Sequence, residues 1–478
     1  MSDLPVGWAE ARLADVAEVR LGRQRSPSRA TGERMRPYLR AANVNWSGLA
    51  LADVKEMAFT EAESKVYELQ PGDILLGEAS GSPAEVGKPG QYKGEIAGCC
   101  FQNTLLRVRV PKELDSDFYE LFFRKEALTG RFAAGSRGVG IHHLGAAALT
   151  NWTVPVPPRA EQERIVTAID EAFSKLDAGE AALRAARQRL KRLRESVLSA
   201  AVTGRLVPQD PTDEPSSKLL ADVGVIPADD GGGFAVPSGW AVSRVGDVAD
   251  VDLGRQRHPD WHDGPNMKPY LRVANVFEDR IDTRDVKQMH FDADAFERFK
   301  LVVGDVLLNE GQTPELLGRP AIYRGEPPEV AFTNSILRFK AKAGINPEWA
   351  LLVFRHYMRT GRFTRESRIT TNIAHLSAGR LKPIEFPVPP TNEQRRIVMK
   401  VEHQFSFIDA CERTIGVGLA RSAALRRSIL KSAFEGRLVP QDPTDEHAAA
   451  LLDRTRAERD AAGKARKPGR TSKAASST

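Results

Sequence analysis

Two arginines flanking a glutamine in "LGRQR" (Leu21–Arg25), and an arginine three residues before an asparagine in "RPYLRAANV" (Arg36–Val44), offer recognition by hydrogen bonds and not bond-making chemistry. Arg and Lys pair with guanine edges and phosphates, while Asn and Gln pair with adenine edges. Arg23, Gln24, Arg25, Arg40 and Asn43 are therefore a candidate nucleic-acid contact set. The set returns as Arg255, Gln256, Arg257, Arg272 and Asn275, in "LGRQR" and "KPYLRVANV". A basic residue follows a glycine in both places, Lys88 in "GKPG" and Arg319 in "GRP", which suits a backbone-phosphate contact. The competing reading makes all of these ordinary surface residues around turns.

Signatures of catalysis fail when each is checked. No Asn/Asp-Pro-Pro-Tyr motif for amino-methyl transfer occurs. "GSPAEVGKPG" (Gly81–Gly90) has one residue too many between its glycines for a phosphate loop, and Pro89 stands where Ser or Thr should follow Lys88. "GVGIHHLG" (Gly138–Gly145) resembles a dinucleotide loop, but its counterpart "TTNIAHLS" (Thr370–Ser377) has no glycine. "HPDWHD" (His258–Asp263) holds metal-ligand types, whereas the matching "SPSRAT" (Ser26–Thr31) holds none. Cys99, Cys100 and Cys411 make neither a disulfide framework nor a zinc quartet, and Cys99–Cys100 read as a buried apolar pair. The expectation is a chain without catalytic residues, metal or cofactor.

The elements that position these residues are written twice. "GRLVPQDPTDE" occurs at Gly204–Glu214 and, letter for letter, at Gly436–Glu446, 232 positions on. "GW" (Gly7–Trp8, Gly239–Trp240), "GDILLGE" and "GDVLLNE" (Gly72–Glu78, Gly304–Glu310), and "PVPP" (Pro155–Pro158, Pro387–Pro390) keep that offset. A period this long means a duplicated module, not a solenoid. Each copy mixes short alternating strands with a helix or two, an α+β pattern. In "TLLRVRV" the alternation puts Arg107 and Arg109 on an outer face. In "NPEWALLVFRHYMRTGRF" Asn346 is the expected N-cap, Pro347 the first helical residue and Gly361 the stop.

A proline-free helix follows each copy. Ile169, Leu176, Leu183, Leu190 and Val197 recur every seven residues, with Ala172, Gly179, Ala186, Leu193 and Ala200 as a second, small seam. About 43 residues make a rod of roughly 64 Å. The expected architecture is two duplicated recognition domains joined by two long helices in an antiparallel coiled coil with pseudo-twofold symmetry. Its segments are domain 1 (1–157), first spacer helix (158–204), linker (205–235), domain 2 (236–389), second spacer helix (390–436), and an exit segment with a disordered basic tail (437–478).

Composition sets the outer limits. The net charge of +6 is concentrated between Asp453 and Lys473, where eight Lys/Arg face three Asp/Glu, so the body is near neutral. No apolar run approaches the roughly 20 residues of a membrane helix, and the start lacks a secretory pattern, so a cytoplasmic location is expected.

These motifs, in this order and in duplicate over nearly the whole chain, resemble the specificity subunits of type I restriction–modification systems. The "PYLR-ANV" and "GDILL" blocks, Ile-x-His-Leu at Ile141–Leu144 and Ile373–Leu376, and the "GRLVPQDPTDE" exit carry the resemblance. It implies one recognition domain per half of an interrupted double-stranded DNA target. It also implies docking to two methyltransferase subunits and, through them, to restriction subunits. S-adenosylmethionine, ATP and Mg would then act on those partners, and this chain would be non-catalytic. The alternative is a duplicated protein-interaction scaffold without DNA specificity.

Residues identical in both copies cannot distinguish two half-sites, so discrimination is expected where the copies diverge. These positions are Asn45 and Trp46 against Phe277 and Glu278; Ser80 and Ser82 against Gln312 and Thr313; and Arg137 and His142 against Thr370, Thr371 and Asn372. The heads are alike elsewhere, so half-sites that share bases are expected.

Overall fold

The computed structural model describes residues 4–26, 31–135, 142–226, 235–365, 367–370 and 373–465. Arg137, Thr371 and Asn372 lie outside the described residues, as does the end of the basic tail. The chain divides into two compact units, Met1–Ala182 with Val417–Thr478, and Leu183–Gly416. Each unit thus holds one α+β domain, the start of the long helix that follows it, and the end of the other long helix. Each spacer helix is therefore shared between the two compact units.

In the first unit a four-stranded antiparallel sheet runs in the order Glu18–Leu21, Leu105–Arg109, Ile74–Gly77, Pro89–Gln91. A three-stranded sheet places Met35–Leu39 between Cys100–Phe101 and Lys55–Ala58. Ala9–Arg12 pairs with Thr153–Val156, closing the domain just before the long helix Arg159–Val202. The core joins the sheet residues Ile74, Leu76, Leu106 and Val108 to the helix Ser116–Leu128, and extends to Ile165, Ile169, Leu430 and Phe434 of the long helices. Phe434 packs against Phe118 and Phe122, with centroids 5.1 and 5.4 Å away.

The second unit repeats this plan. Its sheet order is Ala249–Leu253, Ile336–Ala341, Val306–Asn309, Pro320–Ile322, and Met267–Leu271 lies between Lys287–His290 and Ala331–Phe332. The helix Pro347–Arg359 is capped by Asn346, whose side chain accepts from the Glu348 N–H at 2.9 Å, and Gly361 adopts φ +68° beyond its end. Its core includes Trp349 and Phe354 together with Val197, Leu198, Ile397, Val401 and Ile408 of the long helices.

Three expectations are corrected. The strand Leu105–Arg109 is not half-buried, because Arg107 is only 1% exposed. Its guanidinium donates to the carbonyls of Val66 and Glu68 and to Glu18 at 2.9 Å, and lies over the Phe101 ring. Burial lowers its pKa. The equivalent Arg338 does the same with Asp252, the Lys300 carbonyl and Phe332. The second, mostly small helical seam is interrupted, since Gly179 and Leu193 are exposed. Finally, the chain beyond Asp453 is not all disordered tail: a helix spans Ala448–Ala465, with Ala448, Leu451 and Leu452 buried in the first core.

Within each unit the helix segments run antiparallel, and ion pairs fix the register. In the first unit Ser422 donates to Glu180 at 2.7 Å and Arg426 reaches Asp177 at 2.5 Å while lying over Phe173. In the second, Arg194 pairs with Asp409 and lies over Phe405. The repeated exit segment then clasps the start of the opposite helix. Asp213 receives Arg396 at 2.5 Å, and Asp445 receives Arg164 at 2.6 Å; both carboxylates are buried. Gln209 adds a 2.7 Å bond to Glu393. Gly204 and Gly436, at φ +70° and +66°, are required because a Cβ would come within 2.3 Å of Pro237 and 2.1 Å of Pro5.

The clasp has a testable weight. Asp213→Ala and Asp445→Ala each remove a charged hydrogen-bonded pair whose arginine is about a third exposed. The expected cost is on the order of 1–2 kcal/mol. For a unit of this size that is a drop of roughly 2–6 °C in melting temperature. Unchanged melting in both variants would show that the clasp does not hold the helix ends.

Candidate nucleic-acid interface

The two "LGRQR" segments fold alike because their glycine touches a neighbouring turn. A Cβ on Gly22 would stand 2.1 Å from the Gln102 carbonyl oxygen, and one on Gly254 would stand 2.4 Å from that of Thr333. The next arginine is braced. Arg23 pairs with Glu63 at 2.9 Å above Phe59. Arg255 donates to the His290 carbonyl at 2.7 Å and has Trp261 and Phe291 at 3.9 and 4.6 Å. The "HPDWHD" stretch thereby covers Arg255, with His258 facing Asp260 and the Trp261 ring. Among the described residues no His, Cys, Asp or Glu group is arranged to hold a metal ion. Gln24, Arg25, Gln256 and Arg257 are exposed, and neither Arg25 nor Arg257 has an ion pair among the described residues.

The "ANV" asparagines face inward. Asn43 accepts from the Arg40 N–H at 3.1 Å and donates to the carbonyls of Ala50 and Asp53; Asn275 repeats this with Arg272, Asp282 and Asp285. Each is 2% exposed, so its amide positions the turn. The arginines sit in matching ion triads. Arg40 and Lys55 both reach Asp53 at 2.6 Å, and Arg272 and Lys287 reach Asp285 at 2.5 and 2.8 Å. Lys55, then Arg40, hold the Asp53 carboxyl below its usual range, as Lys287 and Arg272 do for Asp285. Arg25, Tyr38, Arg40, Lys55 and Gln102 line a concave pocket of about 370 Å³, in which cations outnumber anions.

One turn gathers the repeated motifs. The Thr104 hydroxyl accepts from the Ala41 N–H and its carbonyl accepts from the Glu78 N–H, while Leu144 N–H donates to the Glu78 carbonyl. Ser335 does the same for Val273 and Glu310, and Leu376 follows. The "PYLR-ANV" turn, the "GDILL" strand end and the Ile-x-His-Leu strand therefore meet at one place in each unit. His143 and His375 lie 3.2 Å from Glu78 and Glu310 beside it.

The diverging segments are brought together around that place. His142 pairs in register with Ser80, and Ser82 is exposed on the adjoining turn. In the second unit Gln312 pairs with Ala374 and Thr370 with Ile373, with Thr313 exposed beside them. Asn45 is exposed, whereas Trp46 is half-buried and donates to Glu85 at 2.9 Å; Glu85 also neutralises Lys88. Glu278 is held by Arg355 and Arg359. Phe277 carries Arg280 and Arg319 over its ring at 4.7 and 4.6 Å. Gly87 and Gly318, which precede Lys88 and Arg319, have φ near +70° and press on Phe132 and Phe363, so packing fixes both turns. Cys99 and Cys100 are buried, and burial pushes both thiols up to about 12.

Residue-level reasoning passed over Lys55, Lys287, Thr104 and Ser335. The lysines were signalled by "DVKEM" and "DVKQM" at the repeat offset. Asn43→Ala and Asn275→Ala should each destabilise by about 2–4 kcal/mol by leaving buried backbone groups unpaired. Arg25→Ala and Arg257→Ala should stay within about 0.5 kcal/mol. Thermal melting separates the two classes, and equal losses would overturn the assignment of positioning against exposed roles.

Residues 5–185 and 237–415 match the family model for the type I restriction modification DNA specificity domain. The type I restriction enzyme EcoBI specificity subunit of Escherichia coli is 29% identical over 423 residues, spanning 83% of this chain and 82% of its own. The EcoKI specificity subunit of Escherichia coli K12 is 24% identical over 472 residues, spanning 96% and 97%. In fold, a chain from a solved type I R-M system, described for its complex assembly and conformational transition, matches with TM-score 0.68 at 16% identity, over 91% of this chain and 99% of its own. The HsdS subunit from Thermoanaerobacter tengcongensis matches with TM-score 0.52 at 18% identity, over 91% and 98%. The family match falls once on each recognition domain and runs into the helix that follows it, and the chain belongs to the type I restriction modification DNA specificity family.

Proposed function

We propose that this chain is the non-catalytic DNA-recognition subunit of a type I restriction–modification complex, with each recognition domain reading one half of an interrupted duplex target. One observation carries the reading: the same exposed Gln–Arg pair and the same Arg–Asp–Lys triad occur once in each unit, next to segments that differ between the units. Gln24, Arg25, Arg40 and Lys55, with Gln256, Arg257, Arg272 and Lys287, are the proposed common contacts. A triad aspartate shared by two cations leaves net positive charge for a phosphate. The near-neutral body fits a subunit whose partners supply further basic surface.

The partners in this reading are two methyltransferase subunits and, through them, restriction subunits. S-adenosylmethionine, ATP and Mg act there, and no step of transfer or cleavage is performed by this chain. Met399 and Phe407, 61% and 63% exposed on the helix Thr391–Phe434, offer an apolar face for such docking. Expressed alone, the chain should aggregate, and co-expression with a methyltransferase subunit should rescue it. Met399→Lys with Phe407→Lys should restore solubility and abolish co-purification; retained co-purification would move the docking face elsewhere.

Mapping N6-methyladenine in the host with and without the gene tests the reading as a whole. Methylation should vanish at one interrupted motif whose halves share bases. An unchanged map, with the methyltransferase partner expressed, would reject DNA recognition.

A further inference from the structure

The two heads differ in charge at one corresponding point. In the second unit Phe277 and Arg280 are cross-strand partners in the hairpin formed by Val276–Phe277 and Arg280–Ile281. Arg280 and Arg319 both lie over the Phe277 ring, and neither has a salt bridge among the described residues. The Nε of Arg319 is buried without a hydrogen-bond partner. The carboxylates that could compensate them are engaged elsewhere. Glu278 is held by Arg355 and Arg359, and Asp282 takes Arg284 through both oxygens. Two like charges thus meet over one ring, with Glu278 and Asp282 near enough to act on Arg319 and Arg280 but bonded to other arginines, an arrangement that an external anion relieves.

The first unit has no such arrangement. Gly48 stands opposite Asn45 where Arg280 stands opposite Phe277. Lys88, in the place of Arg319, is paired with Glu85, which also accepts from Trp46. The turn at Pro314–Leu316 offers Leu316 where Pro83–Glu85 offers that carboxylate.

We propose that Arg280, Phe277 and Arg319 form a phosphate clamp that only the second head possesses, so that this head holds its half of the duplex through two more backbone phosphates than the first. The inference rests on the reading of the chain as a DNA-recognition subunit. Arg280 is exposed and Arg319 half-buried beside the ring, and their guanidinium N–H groups suit phosphate oxygens, which accept paired donors.

The test is the salt dependence of binding. The full chain, co-purified with its methyltransferase subunit, is titrated with a duplex carrying the methylated motif at several salt concentrations. Each lost phosphate contact should reduce the slope of log K against log salt by about 0.9. Arg280→Gln with Arg319→Gln should therefore flatten the slope by nearly 2, while Lys88→Gln leaves it unchanged. Arg280→Lys with Arg319→Lys should keep the slope, which separates lost charge from lost folding. An unaltered slope in the glutamine pair, or an equal change in Lys88→Gln, overturns the clamp. A wild-type complex that binds no duplex sinks the recognition reading itself, and the clamp with it.

Discussion

The clasp between the end of one long helix and the beginning of the other is the constraint on which the rest depends. An amphipathic helix of 44 residues leaves an apolar stripe in water unless a partner covers it. Each unit solves this with a segment of both helices, and the exit peptide locks the ends through Asp213–Arg396 or Asp445–Arg164. The identity of "GRLVPQDPTDE" in its two occurrences follows. Gly makes the left-handed turn against a proline, the buried Asp takes the arginine, and the same geometry is needed twice. Recognition surfaces mounted on these domains inherit whatever rigidity the clasp confers.

Around that frame, residues common to the two domains and residues that differ divide by task. The common ones build the turn that gathers three motifs at Thr104 or Ser335, brace Arg23 or Arg255, and bury Asn43 or Asn275. Only their exposed remainder, the Gln–Arg pair and the ion triad, is available to a ligand. The differing ones lie on the small sheets holding Ser80 with His142 and Gln312 with Ala374, and on the hairpins that begin at Val44–Asn45 and Val276–Phe277. A pair of such domains can therefore share a mode of holding DNA while differing in what they read.

Much of this was legible in the residue order. The repeat gave the domains, the heptads gave the helices, and "NPEW" gave a cap that Asn346 makes. What stayed hidden depends on partners distant in sequence. Alternation placed Arg107 outward, yet the carbonyls of Val66 and Glu68, some forty residues away, cover it. Asn43 has the right type for reading adenine, but its neighbours at Ala50 and Asp53 occupy its donors. The tail's composition argued for disorder beyond Asp453, whereas the helix anchored by Leu451 and Leu452 continues to Ala465 and buries Thr455.

The central claim is that the differing segments, and not the shared ones, set the sequence read by each domain. The direct measurement is a graft. Asn45–Trp46, 79–85 and 136–142 replace 277–278, 311–315 and 367–374, and N6-methyladenine is mapped in cells carrying the chimera. The account predicts a motif whose second half becomes the mirror of its first, an interrupted palindrome. Active methylation at the original, unaltered motif would contradict it.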